Sequence, residues 1–180
     1  MRVSAMLLFA AFLLVSCASL SEDQCRDGNW RGIGVSDGAA GRSTDYISRH
    51  REACGKIGVV PDVNAWLAGR TEGLRSYCTP ANAYKVGRSG NTLSSVCTGP
   101  QLAALTQANI TGRQYHNLTS QISDLRSQAD DLRIQIRRIS ELADEDKLRE
   151  RSRLRRELAR IESRMQDLEF ERIRYSELAQ

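Results

Sequence analysis

The sequence contains few of the residues that build active sites and large hydrophobic cores. Of its 180 residues, 6% are aromatic, two are histidine and three are proline. Thirteen of the first 16 residues are apolar, so the remaining chain holds less apolar side chain than a typical globular domain. The sequence contains no motif of a zinc protease, a P-loop or a dinucleotide-binding turn. It therefore predicts a small non-enzymatic protein without a cofactor or a metal site.

The net charge is small as well. The chain has 26 basic and 22 acidic residues, which gives +4 at pH 7. Nucleic-acid-binding proteins usually carry a strong excess of basic residues. We therefore expect no nucleic-acid partner.

The N-terminus has the pattern of an export signal. Met1-Arg2 is followed by eleven apolar residues at 5–15, too few to span a bilayer of about 30 Å. The following string, Leu14-Val15-Ser16-Cys17, resembles the lipobox of bacterial lipoproteins. That resemblance implies cleavage of the signal peptide 1–16, attachment of diacylglycerol to Cys17 and acylation of its amino group. The alternative is a plain signal peptide with an incidental cysteine.

The residue after Cys17 bears on location. Ala18 stands where an aspartate would favour retention in the inner membrane of enterobacteria. The resemblance thus implies a lipid anchor in the outer membrane, facing the periplasm, with residues 17–24 as a lipidated tether.

Four further cysteines remain, namely Cys25, Cys54, Cys78 and Cys97. An even number in an exported chain with a thin core predicts two disulfides. The spacing contains no C-x-x-C pair, which disfavours a metal site. Among the three connectivities we favour sequential pairing, Cys25 with Cys54 and Cys78 with Cys97, and the other two stay open.

An internal repeat runs through the first half of the chain. The pattern Ala-x-x-x-Gly-Arg occurs at 65–70, 83–88 and 108–113, and a looser copy lies at 30–34. A glycine inside a helix costs about 1 kcal/mol relative to alanine, so a compensating interaction is expected. We expect close helix packing at the glycines, with Trp30, Trp66, Tyr84, Gly34, Gly69 and Gly87 as the packing residues. The alternative is that Arg70, Arg88 and Arg113 converge on an anionic ligand.

Start and stop signals divide the first half into helices at about 29–39, 44–55, 62–77 and 81–89, with a loop at 90–100. The spacing of cysteines and glycines over about 22–100 resembles a domain of unknown function in small proteobacterial lipoproteins. The residues that carry this resemblance are Cys25, Trp30, Gly34, Asp37, Gly38, Gly41, His50, Cys54, Gly58, Pro61, Asp62, Gly69, Arg70, Gly73, Tyr77, Cys78, Gly87, Gly90, Val96 and Cys97. The resemblance implies an envelope location and supplies no activity.

The two histidines offer little chemistry. We expect His50 to cap or pack and His116 to face solvent. A serine nucleophile cannot be assigned from the sequence, since a catalytic triad needs a base and the chain has only these two candidates. An enzyme centred on His50 remains the third and weakest hypothesis.

The second half has a coiled-coil pattern. Apolar residues from Leu118 to Ala143 recur at alternating intervals of four and three residues, and a second seam begins at Leu154. The seams differ in phase, and Asp144 can cap a new helix. We therefore predict an antiparallel hairpin of helices at about 102–142 and 146–178. The alternative is one continuous helix.

One segment of the arm is basic, with Arg149, Arg151, Arg153, Arg155, Arg156 and Arg160 against two glutamates. We consider Arg151, Arg155 and Arg156 candidate ligands for phosphate or carboxylate groups. The other interpretation is pairing with solvent or with the facing helix.

Together these patterns predict an all-α protein with a small disulfide-stapled head at 25–100 and a long coiled-coil hairpin at 101–180. We expect a membrane-anchored envelope lipoprotein that contacts an envelope protein or a second copy of itself through 115–179. The alternative is a periplasmic binding module for an anionic component such as peptidoglycan or lipopolysaccharide.

Overall fold

The computed structural model describes residues 18–140 and 145–177. The predicted signal peptide 1–16, Cys17 and the predicted cap Asp144 lie outside these ranges. Within them the chain is helical and contains no strand. The helices are α1 (Glu22–Asp27), α2 (Trp30–Ala39), α3 (Ile47–Gly55), α4 (Val63–Tyr77), α5 (Pro80–Arg88), α6 (Leu102–Ser140) and α7 (Glu145–Glu177), with a 3₁₀ turn at Thr44–Tyr46. The all-α prediction is confirmed.

The predicted helices and caps agree with the structure in most places. Asp62 caps α4 by accepting a hydrogen bond from the Ala65 N–H at 3.0 Å. Thr79 caps α5 in the same way through the Asn82 N–H at 3.2 Å. Helix α1 was not predicted, because it begins within the predicted tether 17–24 and crosses into the predicted head. It is started by a capping box in which Ser21 and Gln24 bind each other's backbone N–H groups.

Two disulfides link neighbouring segments. Cys25 pairs with Cys54, and Cys78 pairs with Cys97. The predicted sequential pairing is therefore confirmed. Each bridge lies within one of the two compact units into which the chain divides, 1–75 and 76–180. Helix α5 and the second bridge thus belong to the same unit as the long helices, so the predicted 25–100 head is divided after Arg75.

In the first unit, α2 and α4 cross at glycines on both helices. A Cβ built on Gly34 would lie 2.9 Å from the backbone nitrogen of Arg70 and closer still to the Trp66 carbonyl oxygen. A Cβ on Gly69 would lie 3.0 Å from the Val35 nitrogen and closer to the Arg31 carbonyl oxygen. Gly38 and Gly73 make the same approach one turn further along. The two backbones therefore touch directly.

In the second unit, α5 and α6 repeat this crossing. A Cβ on Gly87 would lie 2.9 Å from the backbone nitrogen of Arg113, and one on Gly112 would lie 2.8 Å from that of Arg88. The two helix pairs share one contact pattern. Each crossing glycine lies against two residues of the other helix, namely the third residue before that helix's crossing glycine and the first residue after it. The predicted packing role of the repeat glycines is confirmed. Trp30, Trp66 and Tyr84 are buried beside the crossings, as expected.

Helices α6 and α7 form an antiparallel hairpin, which confirms the preferred arrangement over one continuous helix. Arg126 pairs with Glu169 at 3.4 Å, and Arg133 pairs with Glu162 at 2.6 Å. From the first pair to the second, the residue number rises by seven along α6 and falls by seven along α7, as expected for antiparallel helices. The buried seam consists of residues from both helices: Leu118, Ile122, Ala129, Leu132, Leu154 and Leu168. Among the described helices, none is long and apolar enough to cross a bilayer.

Candidate functional site

Four polar side chains from separate segments meet inside the first unit. Ser19 precedes α1, Asp37 lies on α2, His50 on α3 and Trp66 on α4. His50 is 1% exposed, Trp66 is fully buried and Asp37 is 9% exposed. The α2–α4 glycine crossing brings Asp37 beside Trp66, and the Cys25–Cys54 bridge fixes α3 next to α1.

These side chains form one continuous hydrogen-bonded chain. Asp37 Oδ2 accepts a hydrogen bond from Trp66 Nε1 at 2.8 Å and lies 2.7 Å from His50 Nε2. The other ring nitrogen, Nδ1, lies 2.9 Å from Ser19 Oγ. The described part of the chain leaves no buried side-chain nitrogen or oxygen without a hydrogen-bond partner. The cluster is therefore a fully satisfied polar network.

The neighbours of His50 determine which ring nitrogen carries the proton. A carboxylate only accepts hydrogen bonds, so a neutral His50 carries its proton on Nε2 and donates it to Asp37. Nδ1 then has a free lone pair and accepts a hydrogen bond from the Ser19 hydroxyl. The ring of Tyr46 meets the imidazole edge-on with centroids 5.2 Å apart, which holds the ring in this orientation.

A cavity of about 360 Å³ opens beside the network. This volume lies at the small end of the range for ligand sites, which begins at about 300 Å³. Its described lining contains two carboxylates and no arginine or lysine. The lining residues are Ser19, Leu20, Gln24, Asp27, Asn29, Gly32, Ile33, Ser36, Asp37 and His50.

Two side-chain amides in this lining are oriented by helix caps. Gln24 Oε1 accepts a hydrogen bond from the Ser21 N–H at 2.9 Å, and Asn29 Oδ1 accepts one from the Gly32 N–H at 3.0 Å. Both oxygens are thus engaged. In residues 18–140 and 145–177, no acceptor bonds the NH₂ group of either amide, so both NH₂ groups remain as hydrogen-bond donors for a molecule in the cavity.

Sequence reasoning found only part of this site. It predicted that His50 caps or packs, and the structure buries the side chain; it did not connect Ser19 or Asp37 to that histidine. Asp37 lies 13 residues from His50, and Ser19 lies 31 residues from it. The one available signal was Asp37-Gly38, an acidic residue beside a packing glycine and therefore near the helix crossing.

The repeat arginines each have a partner in their own unit. Arg70 is 8% exposed, and its Nε donates to the Arg42 carbonyl oxygen at 2.7 Å. Burial lowers the pKa of Arg70, and the carboxylate of Asp37 opposes that shift.

The second histidine differs from its prediction. His116 was expected to face solvent, but it is half-buried, and its Nδ1 atom lies 3.1 Å from the Arg88 carbonyl oxygen.

Arg88 and Arg113 belong to the second unit. The Arg88 guanidinium lies 4.2 Å from the ring centroid of Tyr115, and Arg113 Nη1 donates to Thr92 Oγ1 at 3.4 Å. Anion binding by the three repeat arginines stays a prediction.

Helix α7 carries a row of exposed arginines. We define the arginine stripe as Arg149, Arg153, Arg156, Arg160 and Arg164, which recur at intervals of four, three, four and four residues. This spacing places them on one helix face over about 22 Å. All five are exposed, and no hydrogen bond or ion pair joins them to the described residues.

The candidate ligands Arg151, Arg155 and Arg156 do not all lie on this face. At about 100° per residue, Arg151 and Arg155 lie on the opposite side of the buried Leu154 from the stripe. Arg155 is exposed and Arg151 is half-buried. Of the three, Arg156 alone belongs to the stripe.

Residues 29–114 match the model of a family described as Protein of unknown function (DUF2799). The match extends from α2 into α6, so it contains both glycine crossings and three members of the polar network. Ser19 and the whole of α7 lie outside it. The predicted resemblance to a domain of unknown function is confirmed at this level. No curated protein and no solved structure matches the chain.

Proposed function

We propose that this protein is a lipid-anchored component of a bacterial cell envelope that contacts an anionic partner through its α6–α7 hairpin. The observation that carries the proposal is the arginine stripe on α7. Five guanidinium groups follow one another along one exposed face, and none of them forms an ion pair with the described residues.

The hairpin pairs its helices without using the stripe. The ion pairs between α6 and α7 use Arg126 and Arg133 on α6 with Glu169 and Glu162 on α7. Exposed ion pairs of this kind contribute about 0–1 kcal/mol each, and the buried seam holds the helices together. The stripe is therefore not needed for folding of the hairpin and is available to a partner.

The chemistry of the stripe favours a partner with repeated anionic groups. Guanidinium groups bind carboxylate and phosphate in a bidentate way. Side chains one helical turn apart are spaced by about 5–6 Å, so a polymer or protein surface with regularly spaced charges can contact several at once. Salt weakens such contacts, because exposed charges are screened over about 8 Å at physiological ionic strength.

The anchor is proposed from the lipobox-like string at Cys17. The other four cysteines are held in disulfides, so Cys17 is the single cysteine of the five left for acylation. Metabolic labelling with an alkyne-tagged fatty acid is expected to mark the wild-type chain and not Cys17→Ser. Label that persists in Cys17→Ser would contradict the lipid anchor.

The arm is tested by photocrosslinking in cells. A photoreactive residue at Arg153 probes the stripe, and the same residue at Arg155 probes the other flank of the same helix. We expect a discrete adduct from position 153 that mass spectrometry identifies, and a weaker one from 155. Equal adducts at both positions, or none from either, would remove the stripe as the contact surface.

Charge reversal provides a matched control. Arg153→Glu/Arg160→Glu changes two charges on the stripe, and Arg151→Glu/Arg155→Glu changes two on the opposite flank. We expect the first variant to lose the adduct, measured from Arg156, and the second to retain it. Adducts that contain only this chain would instead favour self-association of two copies through the hairpin.

A further inference from the structure

We propose that Ser19 is a nucleophile activated by His50, and that the cavity beside it accepts a small neutral or cationic carboxylic ester for acyl transfer to water. This activity is independent of the hairpin's proposed role. It also departs from the non-enzymatic expectation, which rested on the small number of histidines and on the lack of zinc-protease, P-loop and dinucleotide-binding motifs.

The inference rests on the donor-to-acceptor direction of the hydrogen bonds that run from Ser19 through His50 to Asp37. Asp37 fixes the imidazole proton on Nε2, so the Nδ1 lone pair faces the Ser19 hydroxyl at 2.9 Å. A hydroxyl that donates to a neutral imidazole, which in turn donates to a buried carboxylate, is the arrangement that activates serine in hydrolases of unrelated folds. The two ring nitrogens are exchanged relative to that template, which leaves the direction of proton transfer unchanged.

Exposure is distributed as the reaction requires. Ser19 is half-buried and lines the cavity, while His50 is 1% exposed behind it. A carbonyl group in the cavity can therefore reach Ser19 Oγ, whereas bulk water is kept from the imidazole. The hydrogen bond from Trp66 Nε1 to Asp37 Oδ2 fixes the carboxylate that orients the base. Asp37 is thus a positioning residue.

The lining restricts the substrate class. Asp27 and Asp37 repel anions, and the described lining contains no arginine or lysine, so a phosphate or carboxylate group is disfavoured. Leu20 and Ile33 accommodate a short acyl or alkyl group. The NH₂ groups of the cap-oriented amides supply donors for the carbonyl oxygen as it gains negative charge. A cavity of about 360 Å³ accepts only a small ester.

The reaction balances with water as the only co-reactant. Ser19 Oγ forms a bond to the ester carbonyl carbon while its proton moves to His50 Nδ1. The ester C–O bond then breaks, and the alcohol leaves with that proton. Water attacks the acyl-Ser19 carbon, gives its proton to His50 and releases the carboxylic acid, and the proton returns to Ser19 Oγ.

The first test is covalent labelling of the full chain. An alkyl fluorophosphonate probe is expected to add once to the wild type, on Ser19 by peptide mass mapping. Ser43→Ala is the matched control, because Ser43 is an exposed serine of the same unit that lies outside the cavity lining. Labelling and p-nitrophenyl acetate hydrolysis should survive in Ser43→Ala. Both should fall by about 100-fold or more in Ser19→Ala, the range that general-base assistance supplies.

A second measurement does not depend on turnover. Ring ¹⁵N NMR of His50, one of only two histidines in the chain, is expected to show the Nε2–H tautomer when the ring is neutral. Asp37→Asn should shift the tautomer and slow labelling while Trp66 fluorescence stays native. An unlabelled wild type, hydrolysis unchanged in Ser19→Ala, or an Nδ1–H tautomer would each overturn the proposal and leave the network with a structural role only.

Discussion

The glycine crossing in the first unit makes a quantitative prediction for Gly34→Ala. A Cβ at this position would lie 2.9 Å from the Arg70 nitrogen and closer to the Trp66 carbonyl oxygen. Both contacts are backbone atoms of α4, which cannot rotate away as a side chain can. The helices must therefore separate, and the side chains packed around the crossing lose contact.

The expected change in the free energy of unfolding is the sum of two opposing effects, overpacking and helix propensity. Overpacking a tight interior costs about 1–3 kcal/mol and occasionally more, while alanine gains up to about 1 kcal/mol over glycine in a helix. A rigid backbone contact belongs at the upper end of the first range, so we expect a net loss of about 2 kcal/mol. For a small domain that corresponds to a fall in Tm of roughly 10 °C.

Gly55→Ala is the matched control. Gly55 is the last residue of α3, and a Cβ there meets nothing within 4 Å. The same substitution should therefore be neutral or stabilise by up to about 1 kcal/mol. The difference between the two variants isolates the close approach from helix propensity.

Urea unfolding with the disulfides intact measures both variants. The chain's two tryptophans, Trp30 and Trp66, both lie in the first unit, so tryptophan fluorescence reports that unit alone. Gly69→Ala should behave as Gly34→Ala does, and the double variant should lose less than the sum, because the first Cβ already separates the helices. If Gly34→Ala is as stable as Gly55→Ala, the direct backbone contact is refuted.

Three further predictions concern stability. Cys25→Ala/Cys54→Ala should destabilise the first unit by roughly 3–4 kcal/mol, from the loop-entropy relation for the 29-residue separation; loss of less than 1 kcal/mol in urea unfolding would contradict it. Burial raises the pKa of Tyr84 above its value in the unfolded chain, which is about 10. The protonated phenol therefore stabilises the folded state fully below about pH 10, and this stabilisation is lost as the pH rises through the folded pKa. Tyr84→Phe should flatten the stability profile above pH 10, and parallel profiles would refute this. Exchange of the exposed pair by Arg126→Glu/Glu169→Arg should restore the small Tm loss of Arg126→Glu, whereas continued loss would argue against their antiparallel register.

Local patterns predicted the helices and the hairpin because each depends on neighbours in sequence. Asp62 and Thr79 cap helices within three residues of themselves, and the seam from Leu118 repeats every helical turn or so. The cysteine count predicted two disulfides, and sequential pairing was the favoured one of three open connectivities. The same reasoning missed α1, because its capping box begins at Ser21, inside a segment interpreted only as a tether.

The sequence by itself thus determined the helical class, the position of most helices and the residues suited to close packing. The tertiary structure decided which helices the repeat glycines join, which arginines form no ion pair, and which serine meets His50. These outcomes depend on contacts between residues 13 to 43 positions apart. A periodic pattern along the chain indicates which face of a helix is buried, but it does not specify which distant segment packs against that face.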